Sequence, residues 1–240
     1  MNKILKVKNL KKTYHTKNEE TLAIKDVNFE LEEGDFIAIV GPSGCGKSTI
    51  LNILCGLDKS YKGDVEVLDN KSIGYMLQND ALFNFRTILN NCLLGLEIQS
   101  KLSLENKEYV IKLLETYGLK EFINSYPTSL SGGMKQRVAL IRTLATKPFS
   151  ALDYQTRLAV SDDVYKIIKK EKKSVIMVTH DIAEAISLAN KVIVLTNRPC
   201  TIKNIYDINL SNRSTPIENR KAKEFSYYYD MIWKDIDTYV

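Results

Sequence analysis

"FIAIVGPSGCGKST", residues 36–49, decides the fold. Residues 36–40 are uniformly apolar and rich in β-branched side chains, which reads as a buried strand. A glycine-rich turn follows, and a helix is expected to open at Lys47. The turn matches G-x-x-x-x-G-K-[ST] in the context that gives the motif meaning: strand, turn, helix. Gly41, Gly44 and Gly46, set around Pro42, Ser43 and Cys45, let backbone N–H groups converge on phosphate oxygens with no Cβ in the way. The helix start aims its positive dipole end at the same anion. Lys47 adds a full charge at the β/γ-phosphates, the Ser48 hydroxyl is a Mg²⁺ ligand, and Thr49 completes the motif. This cradle predicts binding of ATP or GTP with Mg²⁺.

Outward from the cradle, strand-like runs alternate with helical patterns. Residues 27–31, 72–76, 174–178 and 191–195 read as further strands, and helices are expected over about 105–117, 154–171 and 181–189 and from Ser131 onward. That alternation predicts an α/β fold with a mainly parallel core sheet. Residues 82–125 carry few strand signals and several apolar helical segments, so a helical insert is expected there. The aromatic tail "FSYYYDMIW", 225–233, reads as a helix packed back on the core.

The 240 residues, 44% hydrophobic and 26% charged, fit one large domain or a core with a small appendage. A net charge of +5, from 34 basic and 29 acidic residues, is mild and dispersed, which argues against a nucleic-acid partner. The four cysteines, Cys45, Cys55, Cys92 and Cys200, lack paired spacing and read as reduced thiols. The opening "MNKILKVKNLKKTY" has no uninterrupted apolar region and is not read as a signal peptide. The longest clean apolar runs fall well short of the roughly 20 residues a membrane span needs. The expectation is a soluble protein able to dock on a membrane partner.

The class is set by "LSGGMKQR", 130–137. Ser131, Gly132 and Gly133 precede an expected helix, so a hydroxyl and backbone N–H groups can meet a phosphate. The run resembles the signature motif of ABC-transporter ATPase subunits. That resemblance implies a P-loop fold with an N-terminal β subdomain and a helical signature subdomain. It also implies a dimer, of two copies or with another ABC subunit, in which the signature of one subunit meets ATP held by the other. Tyr14 sits where the family stacks an aromatic ring on adenine. Gln78, in "GYMLQND", resembles the glutamine that contacts Mg²⁺ and the surroundings of the attacking water. "SALD", 150–153, resembles the loop that crosses the dimer interface through Asp153. His180, in "VTHD", resembles the switch histidine at the γ-phosphate, so His180 and Gln78 are the candidate catalytic side chains.

The resemblance covers nearly the whole chain and is nearest to importer subunits of the nitrate/sulfonate/taurine type, through "FRTILNNCLLGLEI", "YPTSLSGGMKQR" and "MVTHDIAEAISLANKVIVLTNRP". It implies a location at the cytoplasmic face of the membrane and contact with membrane-spanning permease subunits, near Arg86 and Thr87 of the insert. An extracellular solute-binding protein is an indirect partner. The corresponding division is one ABC ATPase domain: a core at 1–81, the helical part at 82–147, the rest of the core at 148–205 and a tail at 206–240.

One element of the family pattern is missing. In relatives the signature helix is followed by a short apolar strand ending in Asp-Glu-Pro, and then by the "SALD" segment. Here "TKP" runs directly into "FSALD", and no Asp or Glu occurs from Leu130 to Leu152. The Asp serves the Mg²⁺ hydration shell and the Glu polarises the attacking water. The sequence therefore predicts a deleted core strand and impaired hydrolysis. The alternatives are a non-catalytic ATP-driven switch and a degraded gene product.

Overall fold

The structure, a computed structural model of the chain, describes residues 2–15, 19–68, 73–76, 81–146, 149–152 and 162–237. Two long strands, β1 (Lys3–His15) and β2 (Glu20–Glu32), form an antiparallel pair, and β4 (Lys62–Val67) adds to the outer edge of β1. Their lysines and glutamates are exposed or half-buried except Lys12, which is buried, while Leu5, Leu10, Ile24 and Leu31 are fully buried. One wet and one dry face is the usual state of an antiparallel sheet.

The core strands behave differently. β3 (Phe36–Val40), β7 (Val175–Val178) and β8 (Lys191–Leu195) run parallel, with β3 in the middle. Every residue of β3 and β7 is buried, as expected for a parallel strand covered on both faces. The two-residue period sorts the side chains. Phe36, Ala38, Val40, Val175 and Met177 join the helical side of the core, while Ile37, Ile39, Ile176 and Val178 face the antiparallel layer. Each such aliphatic side chain contributes about 1.5–3 kcal/mol by leaving water.

Among the described residues the sheet has nine strands in the order β4-β1-β2-β9-β8-β3-β7-β6-β5, where β5 is Ile73–Met76, β6 is Phe149–Leu152 and β9 is Cys200–Asp207. β9 runs parallel to β2 and antiparallel to β8, so it joins the two layers. Helix α1 (Lys47–Leu54) follows the cradle. α2 (Ile88–Ile98), α3 (Leu104–Thr116) and α4 (Gly132–Ala145) form the helical insert and signature region. α5 (Asp162–Lys170) and α6 (Ile182–Leu188) complete the core. After the single turn α7 (Pro216–Asn219), α8 (Phe225–Asp237) returns along α6 and buries Ile232, as the tail sequence predicts.

The sequence predicts a lost core strand; the sheet instead has no gap. Residues 149–152 lie between β5 and β7 and are paired in parallel with both, Ala151 opposite Tyr75 on one side and Ile176 on the other. Three residues read from the sequence as part of the interface loop, Ser150, Ala151 and Leu152, therefore form strand. The physical reason is hydrogen bonding. A vacant position between two parallel strands would leave two rows of buried backbone groups unpaired, and the next apolar run in the chain satisfies them.

Candidate nucleotide-binding site

The register of the parallel strands gathers the candidate residues at one edge. Ile39 of β3 pairs with Val178 of β7, so Gly41 and His180 each lie two residues past a shared row. Val40 pairs with Val194 of β8, which brings the segment after β8 to the same edge. The carboxyl edge of a parallel sheet is where ligands of such folds bind.

At the centre, Gly44 has φ 72° and Gly46 φ 124°, conformations that residues with a Cβ rarely adopt. A Cβ on Gly46 would also lie 3.3 Å from Cys200 Sγ. Ser43, Gly44 and Ser48 are exposed, Pro42 and Thr49 half-buried, and Cys45 buried. Lys47 is 5% exposed, and its Nζ donates to the carbonyls of Gly41 and Pro42, each at 2.8 Å, with Cys45 Sγ at 3.7 Å. Among the described residues no carboxylate lies within ion-pair reach of it. A buried ammonium held only by neutral acceptors is an uncompensated charge that an anion would stabilise. These groups fit a phosphate chain, and the exposed Ser48 hydroxyl fits a hydrated Mg²⁺ ion at its side.

Tyr14, near the end of β1, hydrogen-bonds through its hydroxyl to Thr49 Oγ1 at 3.1 Å and leaves its ring 40% exposed beside the cradle. Lys12 Nζ lies 4.7 Å from the ring centroid and is itself held by Asp58 at 2.7 Å. That cation–π contact helps to hold the ring in place. His180 is exposed at the end of β7. Its neighbours are fixed: Thr179 donates to Glu184 Oε2 at 2.6 Å, and Asp181 caps α6 by accepting from the Glu184 N–H at 3.0 Å.

Ser131 caps α4, accepting from the Met134 N–H at 3.4 Å. A Cβ on Gly132 or Gly133 would meet nothing within 4 Å among the described residues. Packing against the described residues requires neither glycine, and both are exposed. Gln78 and Asp153 lie outside the described residues.

Two contributors escape the sequence reading, Arg198 and Cys200. The Arg198 guanidinium donates through Nη2 to the Gly44 carbonyl at 2.8 Å. Burial, and then the neighbouring Cys45, push the Cys200 thiol up to about 12 against the opposing pull of Lys47 and Arg198. It is an inert packing group beneath Gly46. The available signal was position: both residues follow a predicted core strand at its carboxyl end.

Comparison with known proteins agrees with this geometry. The family model described as ABC transporter matches residues 24–153. The chain is 39% identical over 249 residues to the ABC transporter ATP-binding protein YtlC of Bacillus subtilis, covering 98% of this chain and 96% of that protein. It is 36% identical over 248 residues to the nitrate import ATP-binding protein NrtD of Synechocystis sp., covering 95% and 93%. Among solved structures, the dimeric post-hydrolysis state of the ATP-binding cassette MJ0796 bound to ADP and Pi superposes with a TM-score of 0.71 at 33% identity, covering 86% of this chain and 99% of that one. The chain belongs to the ABC transporter family, as an ATP-binding subunit.

Proposed function

We propose that the chain is the ATP-binding subunit of an importer for a small solute of the nitrate, sulfonate or taurine kind, and that it binds MgATP well but hydrolyses it slowly. The observation that carries the reading is the buried Lys47 ammonium, uncompensated by any carboxylate among the described residues, inside a cradle of left-handed glycines. Nucleotide phosphates supply the missing charge. Lys47 then exchanges the Gly41 and Pro42 carbonyls for phosphate oxygens, Ser48 turns its hydroxyl to the metal, and Tyr14 supports the base. Mg²⁺, which Ser48 would help to hold, would supply positive charge against the charge that develops on the phosphates. His180 stands at the same edge for the terminal phosphate. Ser131, Gly132 and Gly133 face outward for the nucleotide of a second cassette, making each site composite.

The filled sheet refines the hydrolytic reading. β6 ends at Leu152, and the next two residues in the sequence are Asp153 and Tyr154. Asp153 lies outside the described residues and keeps the interface role that the resemblance implies. The sequence carries no Asp or Glu from Leu130 to Leu152 to polarise the attacking water, so slow turnover follows.

Docking on a permease is supported by the groove beside α2. About 530 Å³ in volume, it is lined by Leu57, Ile73, Phe83, Leu94 and Ile98 among others. Phe83 and Phe85 form an exposed tilted pair 5.3 Å apart. Arg86 is already paired with Glu97 at 2.7 Å and Thr87 caps α2, so both shape this surface from within the chain. No helix among the described residues is long and apolar enough to cross a membrane, and we place the subunit at the cytoplasmic face through that permease. A solute-binding protein acts on the complex from outside.

A single-turnover assay with MgATP tests the reading. Stoichiometric binding with slow but measurable phosphate release is expected. Binding with no release over hours would favour the non-catalytic switch, and no binding would refute both.

A further inference from the structure

The segment that joins β8 to β9 is fastened to the phosphate cradle at two points. Arg198 Nη2 donates to the Gly44 carbonyl at 2.8 Å, and Cys200 lies under Gly46, its Sγ 3.3 Å from where a Cβ would stand. The segment is braced from within. The Thr201 N–H donates to Thr196 Oγ1 at 2.9 Å, the Thr196 N–H donates to the Thr201 carbonyl at 3.0 Å, and Thr196 Oγ1 donates to the Asn197 carbonyl at 3.1 Å. Its far end is held in the sheet, where Cys200 pairs with Ile24 of β2. A braced segment that carries an arginine can hold the cradle in shape.

We infer that Arg198 is a positioning residue for nucleotide phosphate binding, acting through the Gly44–Cys45 peptide. The carbonyl of Gly44 and the N–H of Cys45 belong to one planar trans unit and point in opposite directions. Fixing the carbonyl outward with a charge-assisted hydrogen bond fixes that N–H inward. Inward is where Lys47 Nζ lies: the Cys45 N–H donates to the Pro42 carbonyl at 3.3 Å, and Lys47 Nζ donates to that same oxygen at 2.8 Å. When phosphate displaces the Pro42 carbonyl from these two donors, the Cys45 N–H already points correctly because its peptide cannot rotate. Gly44 cannot supply this rigidity itself, since a glycine at φ 72° has the widest backbone freedom of any residue. Arg198 is exposed, and among the described residues Gly44 is its only hydrogen-bond partner, so no structural network depends on it.

The inference rests on the reading of residues 41–49 as the nucleotide cradle. The test is calorimetric titration of the full chain with MgATP and with MgADP, for wild type, Arg198→Ala and Arg198→Lys, at low salt and at about 0.5 M salt, beside the melting temperature of each nucleotide-free protein. Arg198→Ala is expected to bind both nucleotides about tenfold more weakly, the scale of one charge-assisted hydrogen bond discounted for exposure. Its nucleotide-free melting temperature should be unchanged, and Arg198→Lys should recover part of the loss. The ratio to wild type should persist at high salt, because a bond that orients a peptide is not screened as a distant charge is. Equal binding by Arg198→Ala and wild type would overturn the inference alone. So would a ratio that collapses to one at high salt, which would make Arg198 only a distant cation, or a loss matched by a lower nucleotide-free melting temperature. A wild type that binds neither nucleotide would overturn this inference and the nucleotide reading together.

Discussion

Replacing Ala151 by proline tests whether residues 149–152 belong to the sheet. β6 has a partner on each side, and in such a strand every backbone N–H serves one ladder or the other. Proline removes one donor, leaving a buried carbonyl unpaired at a cost of about 1–3 kcal/mol. Its ring also presses against the neighbouring strand, which is why proline is confined to sheet edges and bulges. Together the two effects put the loss near 3 kcal/mol, and at about 2–4 °C per kcal/mol for a chain of this size the melting temperature should fall by roughly 6–12 °C. Thermal melts by circular dichroism, with urea midpoints beside them, read this directly. Were the same residues an exposed interface loop, the substitution would stay within about 0.5 kcal/mol. A shift below about 2 °C would refute the strand assignment and restore the loop reading.

Three further outcomes follow. Ser131→Arg places a bulky cation at the outward-facing cap of α4, so MgATP-induced dimerisation should disappear while binding to the monomer survives; an unchanged dimer peak in size-exclusion runs with MgATP would contradict this. Inserting an apolar strand plus Asp-Glu-Pro after Pro148 should raise hydrolysis at least about 100-fold, the scale of general-base assistance, while the same insert with Asn-Gln should not; equal steady-state rates for the two inserts would exclude the carboxylate argument. Asp235 on α8 is pushed up by burial but held below its ordinary value overall by Asn204, Tyr206 and Lys203 of β9. A depressed carboxyl stabilises the fold above about pH 4 and loses that contribution as pH falls through the folded value. Asp235→Asn should therefore lower the melting temperature at pH 7, and the gap to wild type should narrow as pH falls below about 4; a gap that stays constant as pH falls would refute this role for Asp235.

The sequence disclosed the parts whose chemistry is local. The cradle, the cap at Ser131 and the strands at 36–40 and 191–195 are where their patterns predict. β1 was harder because its alternation is broken by register shifts at Leu5, Leu10, Lys12 and Thr13, which scatter lysines across both apparent faces. β9 lacks a hydrophobic signature because only Cys200 in it is fully buried. Arg198 was invisible for another reason: its partner is a backbone carbonyl 154 positions away, and nothing in a local window records that. The filling of the β6 position could not be read either, since "FSAL" matches a family loop as sequence while supplying an adequate short strand as backbone.

That last ambiguity has a consequence for the assembly. A place in a parallel sheet asks only for a short run able to make two ladders, whereas an interface loop asks for particular side chains at a particular surface. One segment cannot meet both demands in the same state. With residues 149–152 committed to β6, Ser150, Ala151 and Leu152 serve the sheet rather than an interface loop. Under the proposed function, the chain keeps the parts that recognise ATP and lacks the water-polarising carboxylate of the family pattern. Under that same proposal, a second ABC subunit that still carries its own Asp-Glu strand would complete one hydrolytic site with the signature of this chain, whereas a homodimer would have none.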